Sequence, residues 1–333
     1  MDFNLSKEHL MAQRLFRDFA VNEVEPWAEQ TDEEGRFPFE IVQKMQKLGF
    51  LGIPFPKSVG GQGCDTLTYI LAVEELSKAC ATTGVILSAH TSLAADAIFL
   101  NGSEEQKEQF LRPLLEGKKL GSFALTEAEA GTDAAGQQTK VTADGNEWVI
   151  NGSKIFITNG EVADTYVVFA MTDKSAGTRG ISAFIIEKGV PGFTFGPTEK
   201  KMGIRGSSTC ELIFENCRIP KTNLLGREGK GFGVAMSTLD GGRIGIGAQA
   251  LGIAEGALEK TVQYVKERKQ FNSPIAKFQN TQFVLAQMKT DIEAARWLVY
   301  HAALKKDSGK NFSNEAAMAK LKASQVASDV TRE

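Results

Sequence analysis

A strand-like run breaks into small, acidic and glycine residues in the stretch Phe123-Ala-Leu-Thr-Glu-Ala-Glu-Ala-Gly-Thr-Asp133. A second break of the same kind follows at Lys154-Ile-Phe-Ile-Thr-Asn-Gly160. Each break offers hydroxyls and free backbone groups at the point where a strand ends. Two such breaks, in a region with helical patterns on both sides, suggest a site for a flat polar ligand.

The residues around these breaks, from about 120 to 220, have the period of β-strands. Asp144-Gly145 and Asn151-Gly152 are typical hairpin-turn dipeptides between short strands expected at Glu147–Ile150 and Lys154–Thr158. Further strands are expected at Tyr166–Thr172, Gly180–Glu187 and Cys210–Glu215. The region therefore predicts a compact antiparallel β domain of barrel or sandwich type.

Helical patterns precede this region. Ser6 can cap a first helix, and Ser103-Glu104-Glu105-Gln106 is a capping box. Pro38 suits the first turn of a helix that would place Val42, Met45 and Leu48 inward and stop at Gly49.

Helical patterns also follow the β region. One long pattern runs from Phe232 to Arg268, and others run from Asn280 to about Lys306 and from Ser313 onward. We therefore expect an α+β fold with an N-terminal helical domain (1–118), a middle β domain (119–228) and a C-terminal helical bundle (229–333). This segregation argues against a doubly wound fold, in which strands and helices alternate.

The composition excludes several functions. The 333 residues carry a net charge of only −3, so there is no electrostatic reason to expect nucleic acid or an anionic membrane as partner. The four cysteines form no Cys-x-x-Cys pair and the three histidines lie far apart, which disfavours a metal site. Reduced cysteines in a cytoplasmic protein are the simplest interpretation. We expect no signal peptide, and no apolar run long enough to span a bilayer.

Two sequence patterns that suggest other chemistry are set aside. Gly245-Ile-Gly247-Ala-Gln-Ala250 has dinucleotide-motif spacing, but it lies within a helical pattern, not after a strand. His90 and Asp96 lack the nucleophile elbow of a hydrolase, and a histidine on a helix face is more often structural.

The paired breaks have the groups that a flavin needs, namely ring donors, an apolar wall and donors for its pyrophosphate. Thr126 and Thr158 offer hydroxyls, Phe156 an aromatic face, and Gly131-Thr132-Asp133 a flexible polar turn. From composition alone the simpler interpretation is that the two threonines cap strands and that Phe156 is a core residue.

The sequence resembles the acyl-CoA dehydrogenase family. Both breaks resemble its flavin-contact segments, and the resemblance extends in order from Leu5 to Glu333. Its further segments are Lys201-Met-Gly-Ile-Arg-Gly-Ser-Ser-Thr209, Leu239-Asp-Gly-Gly-Arg243, and Glu267-Arg-Lys-Gln-Phe271 followed by Gln279. The chain is most similar to the short-chain, butyryl-CoA type of anaerobic bacteria, which Val85-Ile-Leu-Ser-Ala-His-Thr-Ser-Leu93 also resembles.

The resemblance implies an FAD enzyme that removes two hydrogens across Cα–Cβ of a CoA thioester. A glutamate takes the α proton, the β hydrogen leaves as hydride to flavin N5, and the electrons pass to an electron-transfer flavoprotein. Carbonyl hydrogen bonds and a desolvated carboxylate must act together, because the α proton is only moderately acidic. The resemblance also implies a homodimer or homotetramer built through the C-terminal helices.

The resemblance assigns roles to individual residues. Thr126 would bond the pyrimidine side of the flavin ring, Thr158 its N5 or O4, Phe156 would cover it, and Thr132 would touch pyrophosphate and CoA. The implied cofactor contacts are Phe123, Ala124, Leu125, Thr126, Gly131, Thr132, Phe156, Ile157 and Thr158, with Arg268, Phe271 and Gln279 holding the FAD of the neighbouring subunit. The implied substrate contacts are Thr132, Asp240, Gly241, Gly242 and Arg243.

The catalytic glutamate is the point where the sequence departs from the family. It usually lies in a Glu-Gly-Thr segment after the last helices, and some relatives carry it at the position of Gly242. Neither position is filled within these 333 residues, and a Gly-Gly segment that helps to bind the neighbour's FAD is also missing. We therefore expect no catalytic base in this chain, and a shortened C-terminus with the base after Glu333.

Other functions remain open from sequence. They are an acyl-CoA dehydrogenase of another acyl length or of branched chains, an acyl-CoA oxidase, and a non-catalytic scaffold that binds acyl-CoA or flavin. The intact flavin and CoA segments argue against the scaffold, which would have little use for both.

Overall fold

The structure, a computed structural model, describes residues 4–333. Helices α1, α5 and α7 continue directly into π-helical turns at Ala20–Val24, His90–Ala95 and Lys107–Leu111. The α-helices of the described chain are α1 (Lys7–Phe19), α2 (Ala28–Glu34), α3 (Phe39–Lys47), α4 (Thr66–Ala79), α5 (Ala81–Ala89), α6 (Asp96–Asn101), α7 (Glu104–Gln106), α8 (Arg112–Leu115), α9 (Gly231–Glu267), α10 (Gln279–Asp307) and α11 (Ser313–Arg332).

The strands form one eight-stranded sheet and one small hairpin. The strands of the sheet are β1 (Gly121–Ala124), β2 (Lys140–Asp144), β3 (Glu147–Thr158), β4 (Thr165–Met171), β5 (Ile181–Glu187), β6 (Phe193–Thr198), β7 (Thr209–Pro220) and β8 (Leu224–Leu225). The hairpin pairs β9 (Lys269–Gln270) with β10 (Ser273–Pro274). The helix–sheet–helix order agrees with the expected α+β class.

The chain divides into two compact units, which are described separately. Unit 1 contains Met1–Gln30, Asp65–Val85 and Arg243–Glu333. Unit 2 contains Thr31–Cys64 and Ile86–Gly242. The division of the sequence into domains 1–118, 119–228 and 229–333 stays a prediction.

Unit 1 is helical and contains a buried cluster of charged residues. Arg296 on α10 forms ion pairs with Glu74 on α4 and with Glu255 on α9, the latter at 2.8 Å. The Tyr300 hydroxyl donates to the second Glu74 carboxylate oxygen at 2.8 Å. Burial raises the pKa of Glu74 to about 7, although Arg296 acts in the opposite direction. The cluster joins α4, α9 and α10 through charges that need one another, because an unpaired buried charge is strongly destabilising.

Two glycines of α9 allow close contact with α4. A Cβ atom at Gly252 would lie 2.3 Å from the Glu74 carbonyl oxygen, and one at Gly256 would lie 2.5 Å from that of Lys78. These positions confirm that close helix packing explains part of the glycine pattern in α9. The segment Gly245–Ala250 lies inside the same helix, so the rejection of a dinucleotide motif is also confirmed.

The sheet of unit 2 is mixed: most of its strand pairs are antiparallel, as predicted, but the prediction did not include parallel pairs. Its strand order is β6-β7-β3-β2-β4-β5-β8, and β1 pairs with β4 in parallel. One residue pair, Lys140 with Met171, is also parallel. The chain leaves β1, forms the β2–β3 hairpin and returns along β4 in the direction of β1, and such a crossover allows parallel pairing.

Of the two predicted hairpin turns, one is confirmed and one was wrong. Asp144-Gly145 begins the turn between β2 and β3, where Asp144 pairs with Glu147. Asn151-Gly152 instead lies within the continuous strand β3, beside a register shift against β7. Gly152 has φ of +140°, and a Cβ there would lie 2.7 Å from the Thr139 Cα, so a bulge with close backbone approach explains this glycine.

The sheet contributes to two apolar cores of unit 2, because its strands alternate sides. Tyr166, Val168 and Ala170 of β4 join a core to which β1–β7 all contribute. Val167 and Phe169 join a second core with residues from the helices around Phe110 and Ile98. Strand β6, which supplies Phe193 to the first core, was not predicted.

The predicted helix ends in the N-terminal part were mostly right. Ser6 caps α1 by accepting from the His9 N–H at 3.2 Å, and the capping box at Ser103 and Gln106 is present. Gly49 ends the turn after α3 with φ of +76°. The inward position of Leu48 was wrong: its side chain is 59% exposed, because α3 ends at Lys47 and its apolar face does not continue.

One helical stretch of the described chain, Ala81–Asn101, has the length and the apolar composition of a membrane span, with a mean hydropathy of 1.4. The expectation that no apolar run is long enough was therefore wrong. Since 78% of its 18-residue apolar window is buried within the protein, the stretch equally fits a core helix, and length and composition alone are weak evidence for a span.

The close contact of α9 with α4 can be tested with Gly252→Ala. The new Cβ meets the Glu74 backbone oxygen, so we expect unfolding free energy to fall by about 1–3 kcal/mol. This loss exceeds the ~1 kcal/mol by which alanine favours a helix. Gly233→Ala is the matched control, because no atom lies within 4 Å of its added Cβ, and it should be neutral or stabilising. Urea unfolding measures both, and equal stabilities of the two variants would contradict close packing.

Candidate functional site

The two sequence breaks meet in unit 2. The Ile155 N–H donates to the Thr126 carbonyl oxygen at 2.9 Å. The Ser122 hydroxyl donates to the Thr158 carbonyl oxygen at 2.7 Å. Strand β1 and the residues that follow it therefore lie beside the end of β3.

A buried ammonium lies where the two breaks meet. Lys154 on β3 has no exposed surface, and its Nζ donates to the Leu125 carbonyl oxygen at 3.1 Å, to Glu127 Oε1 at 2.6 Å and to Gln137 Oε1 at 2.8 Å. Burial lowers the pKa of Lys154 to about 8, against the opposing effect of Glu127. The side chain is therefore still mostly protonated at neutral pH.

Glu127 binds both this ammonium and the backbone of the following loop. Its carboxylate accepts from the Gln138 N–H at 2.5 Å and from the Thr139 N–H at 3.1 Å. Burial tends to raise the pKa of Glu127, but Lys154 and these donors outweigh it and hold the pKa below its usual range. The carboxylate thus closes the loop from residue 127 to residue 139 at both ends.

His90 supports the beginning of β1. Its Nδ1 accepts from the Gly121 N–H at 3.0 Å, so the proton of the neutral ring lies on Nε2. Burial lowers the pKa of His90 to about 3, against a smaller opposing effect of the Leu114 carbonyl. The prediction that His90 is structural, not part of a hydrolase triad, agrees with this contact.

Phe156 is exposed beside the site, so its interpretation as a core residue was wrong. Its side chain is 59% exposed, and its backbone has φ of +59°, in the left-handed region that phenylalanine disfavours. A register shift between β3 and β7 falls between Lys154 and Ile157. This bulge turns the ring outward and leaves an aromatic face available.

Polar groups without partners face the same region. The hydroxyls of Thr126 and Thr158 make no hydrogen bond to any described residue, and both side chains are half-buried. The Leu125 and Thr126 N–H groups likewise have no acceptor among residues 4–333. Thr132 is exposed on the loop that Glu127 closes, and Gly131 has no atom within 4 Å of a built Cβ.

The other predicted contacts of the breaks are buried or partly buried. Phe123, Ala124 and Ile157 are buried, so they can offer a ligand only backbone groups. Leu125 is half-buried, and its carbonyl is taken by Lys154.

The predicted substrate residues Asp240, Gly241, Gly242 and Arg243 follow one another on α9. Gly242 has no side chain to act as a base, and a Cβ there would lie 2.6 Å from the Leu93 Cδ2. Leu93 therefore occupies the space that a base at this position would need.

The residues predicted to reach a neighbouring subunit's cofactor belong to unit 1. Arg268 follows α9, Phe271 lies in the β9–β10 turn, and Gln279 begins α10. Phe271 is 90% exposed and has φ of +50°, followed by Asn272 with φ of +60°. A two-residue turn with two positive φ angles is typical of a tight hairpin, and it presents the Phe271 ring outward.

These groups fit a flavin. Its pyrimidine edge presents acceptors, and the paired strand ends supply unpartnered hydroxyl and N–H donors. Its flat ring needs an apolar face, which Phe156 supplies, and its pyrophosphate needs a polar turn, which Gly131 and Thr132 supply. No group of three or more His, Cys, Asp or Glu side chains that could hold a metal ion occurs among residues 4–333.

Sequence analysis missed Glu127, Lys154 and His90 as parts of the site. Glu127 lies in the first quoted break and Lys154 in the second. Lys154 was also expected to lie in a strand, and a charged residue in a strand was the signal that could have identified it. For His90 the sequence carries no signal beyond its place on an apolar helix.

Comparison with known proteins identifies the family and its fold. The sequence matches three domain families: acyl-CoA dehydrogenase N-terminal domain over residues 6–118, middle domain over 122–217 and C-terminal domain over 229–333. It is 58% identical over 331 residues to a short-chain specific acyl-CoA dehydrogenase of Clostridium acetobutylicum, covering 99% of this chain and 87% of the relative.

Two solved structures are similar over the whole chain. Butyryl-CoA dehydrogenase from Megasphaera elsdenii has a TM-score of 0.98 and 53% identity, covering 100% of this chain and 88% of that one. A chain in a structure described as the electron transferring flavoprotein of Acidaminococcus fermentans, and related to flavin-based electron bifurcation, has a TM-score of 0.99 and 57% identity, covering 100% and 87%.

The buried His90 predicts acid sensitivity of the fold. Folded His90 stays neutral down to about pH 3, whereas an unfolded histidine titrates near pH 6.5, so the unfolded chain binds the proton first as pH falls. Stability linked to this group is present above pH 6.5 and is lost towards pH 3, by up to about 1.4 kcal/mol per pH unit. His90→Asn keeps an acceptor for the Gly121 N–H but cannot titrate. Urea unfolding at several pH values should give a shallower slope for this variant, and an unchanged slope would contradict the assignment.

Proposed function

The chain belongs to the acyl-CoA dehydrogenase family, and we propose that it dehydrogenates short-chain acyl-CoA thioesters, converting butyryl-CoA to crotonyl-CoA. FAD is its cofactor and an electron-transfer flavoprotein accepts the electrons. The observation that carries the proposal is the meeting of the two strand ends at the Thr126–Ile155 hydrogen bond, beside an exposed aromatic ring.

FAD, when bound, supplies the acceptor for two electrons and a hydrogen from the substrate Cβ. The unpartnered Thr126 N–H and hydroxyl would bond the pyrimidine side of its ring, and the Thr158 hydroxyl its N5 or O4 side. Phe156 would cover the ring and exclude water from one face. Backbone groups of Phe123, Ala124, Leu125 and Ile157 would line the rest of the ring. The loop with Gly131 and Thr132 would hold the pyrophosphate, with the Thr132 hydroxyl also reaching CoA.

Substrate binding is assigned to the start of α9. The carboxylate of Asp240 and the guanidinium of Arg243 suit the polar adenine end of CoA, and Gly241 and Gly242 allow close approach of the thioester chain. Leu93 fills the space beside Gly242, which favours a short acyl group. Gly242 has no side chain, so it does not supply the proton acceptor.

A homodimer or homotetramer is proposed from exposed apolar residues of unit 1. Phe271 is 90% exposed, and on α10 and α11 Phe283, Leu304 and Leu321 are 63%, 51% and 69% exposed. We infer that these large exposed apolar side chains contribute to subunit contacts. In such an assembly Arg268, Phe271 and Gln279 would contact the partner's FAD.

The proposal includes a cytoplasmic location without nucleic acid and without membrane insertion. The four free cysteines and the small net charge support it.

The substrate assignment is tested by a panel of acyl-CoAs with FAD-loaded protein. Butyryl-CoA should bleach the flavin absorbance fastest. Since one methylene is worth about 10-fold or more in a closed apolar pocket, octanoyl-CoA should be slower by at least about 100-fold. A longer or branched optimum would assign another acyl class, and fast reoxidation by air would indicate an oxidase. A flavin that no acyl-CoA bleaches would support the non-catalytic scaffold.

The role of Phe156 is tested by Phe156→Gly. Glycine removes the strain of the left-handed backbone, so the FAD-free protein should gain about 1 kcal/mol of stability. Loss of the aromatic face should weaken FAD binding by about 10-fold, a change of ~1.4 kcal/mol. Urea unfolding and flavin fluorescence titration measure the two effects.

Asn216→Gly is the control, because Asn216 also has a positive φ, of 51°, on the same sheet. It should gain stability and keep FAD affinity. Unchanged FAD affinity in Phe156→Gly would remove Phe156 from the site.

A further inference from the structure

We propose that Lys154 and Glu127 are positioning residues for the cofactor. Their buried pair holds in one arrangement both the strand end that meets the flavin ring and the loop that carries Thr132. This inference rests on the proposed FAD site, but its central claim concerns the cofactor-free protein.

Lys154 cannot itself contact a ligand. An ammonium has three donors, and all three are used, by the Leu125 carbonyl, Glu127 and Gln137. The side chain has no exposed surface. Any effect of Lys154 on a bound molecule therefore passes through the groups that it holds.

The first of these groups sets the direction of a donor in the site. The Leu125 carbonyl and the Thr126 N–H belong to one planar trans peptide and point in opposite directions. Because the ammonium of Lys154 holds the Leu125 oxygen inward at 3.1 Å, the Thr126 N–H points away from it, where no described residue accepts its hydrogen bond. The Ile155 N–H adds a second restraint by donating to the Thr126 carbonyl.

The second group is the loop from residue 127 to residue 139. Glu127 accepts the Gln138 and Thr139 N–H groups, and Gln137 accepts from Lys154, so the far end of the loop is bound to the same ion pair as its beginning. Thr132 lies exposed between these ends. One ion pair therefore restrains both the ring donor and the pyrophosphate loop.

Stability alone does not explain a buried ion pair. Well-packed apolar residues at such a place are often as stable or more stable, and the pair is then retained for a specific arrangement. The many backbone groups that this pair binds favour the second explanation, because apolar side chains could pack here but could not orient a carbonyl or two N–H groups.

Hydrogen exchange of the FAD-free protein tests the clamp. In Lys154→Met and in Glu127→Gln, the Gln138 and Thr139 amides should exchange at least about 10-fold faster than in the wild type, while amides of β5 stay unchanged. Lys119→Met, which removes the part-buried pair with Glu187 in the same unit, is the matched control and should leave these amides unaffected. Unchanged exchange at Gln138 and Thr139 would overturn the proposal, whatever the protein binds.

FAD titration of double variants tests the link to the cofactor. If Lys154 orients the Thr126 peptide and the loop, Lys154→Met should weaken FAD binding about 10-fold or more, and Thr132→Ala should then have almost no further effect. Equal effects of Thr132→Ala in the presence and absence of Lys154 would show that the pair acts on stability only. A wild-type protein that binds no FAD would refute the proposed function, while the exchange result would still decide the clamp.

Two further variants test the proposal if Lys154→Met does not fold. Glu127→Gln combined with Lys154→Met removes both charges and avoids an unpaired one, so it should be more stable than Lys154→Met alone. Gln137→Leu removes one acceptor of Lys154 and should accelerate exchange of the Gln138 amide without deleting the ion pair. Normal exchange and normal FAD affinity in both variants would overturn the proposal.

Discussion

The structure of the candidate site depends on one buried charge. The Lys154 ammonium lies inside the β unit, where water cannot solvate it, so every one of its protons needs an acceptor. The acceptors come from the end of β1, from the loop after it and from the far end of that loop. Because protein acceptors must replace water around this ammonium, the three segments must converge on one nitrogen atom.

The mixed sheet makes this convergence possible. Parallel pairing of β1 with β4 places β1 next to strands that follow it by more than 40 residues. His90 holds the first residue of β1 and Asn159 donates to the Gly121 carbonyl at 3.3 Å, so the strand is anchored at its start. The C-terminal end of β1 therefore keeps its position although the chain leaves the sheet there and enters the loop.

Local patterns predicted most elements, because caps, turns and apolar periods act over a few residues. The capping box at Ser103, the stop at Gly49 and the turn at Asp144-Gly145 are of this kind. The errors in the sheet concern contacts between distant residues. Asn151-Gly152 has the composition of a hairpin turn, but the pairing of β3 with β7 on both sides of it makes it a bulge.

The sequence predicted the two segments of the site but not the contacts between them. The role of Lys154 depends on acceptors 17 to 29 residues away, and no short-range pattern could reveal them.

Two residues with left-handed backbone lie in the same region. Phe156 and Asn159, both in the second break, have positive φ angles of 59° and 60°. Glycine would adopt this backbone without cost, so stability alone does not explain a phenylalanine at this position. An exposed ring on a strained backbone lowers the stability of the fold. We therefore expect the ring to contact a molecule other than this chain. Covering a flat cofactor is such a contact, and Phe156 lies next to Ile155, whose N–H donates to the Thr126 carbonyl oxygen.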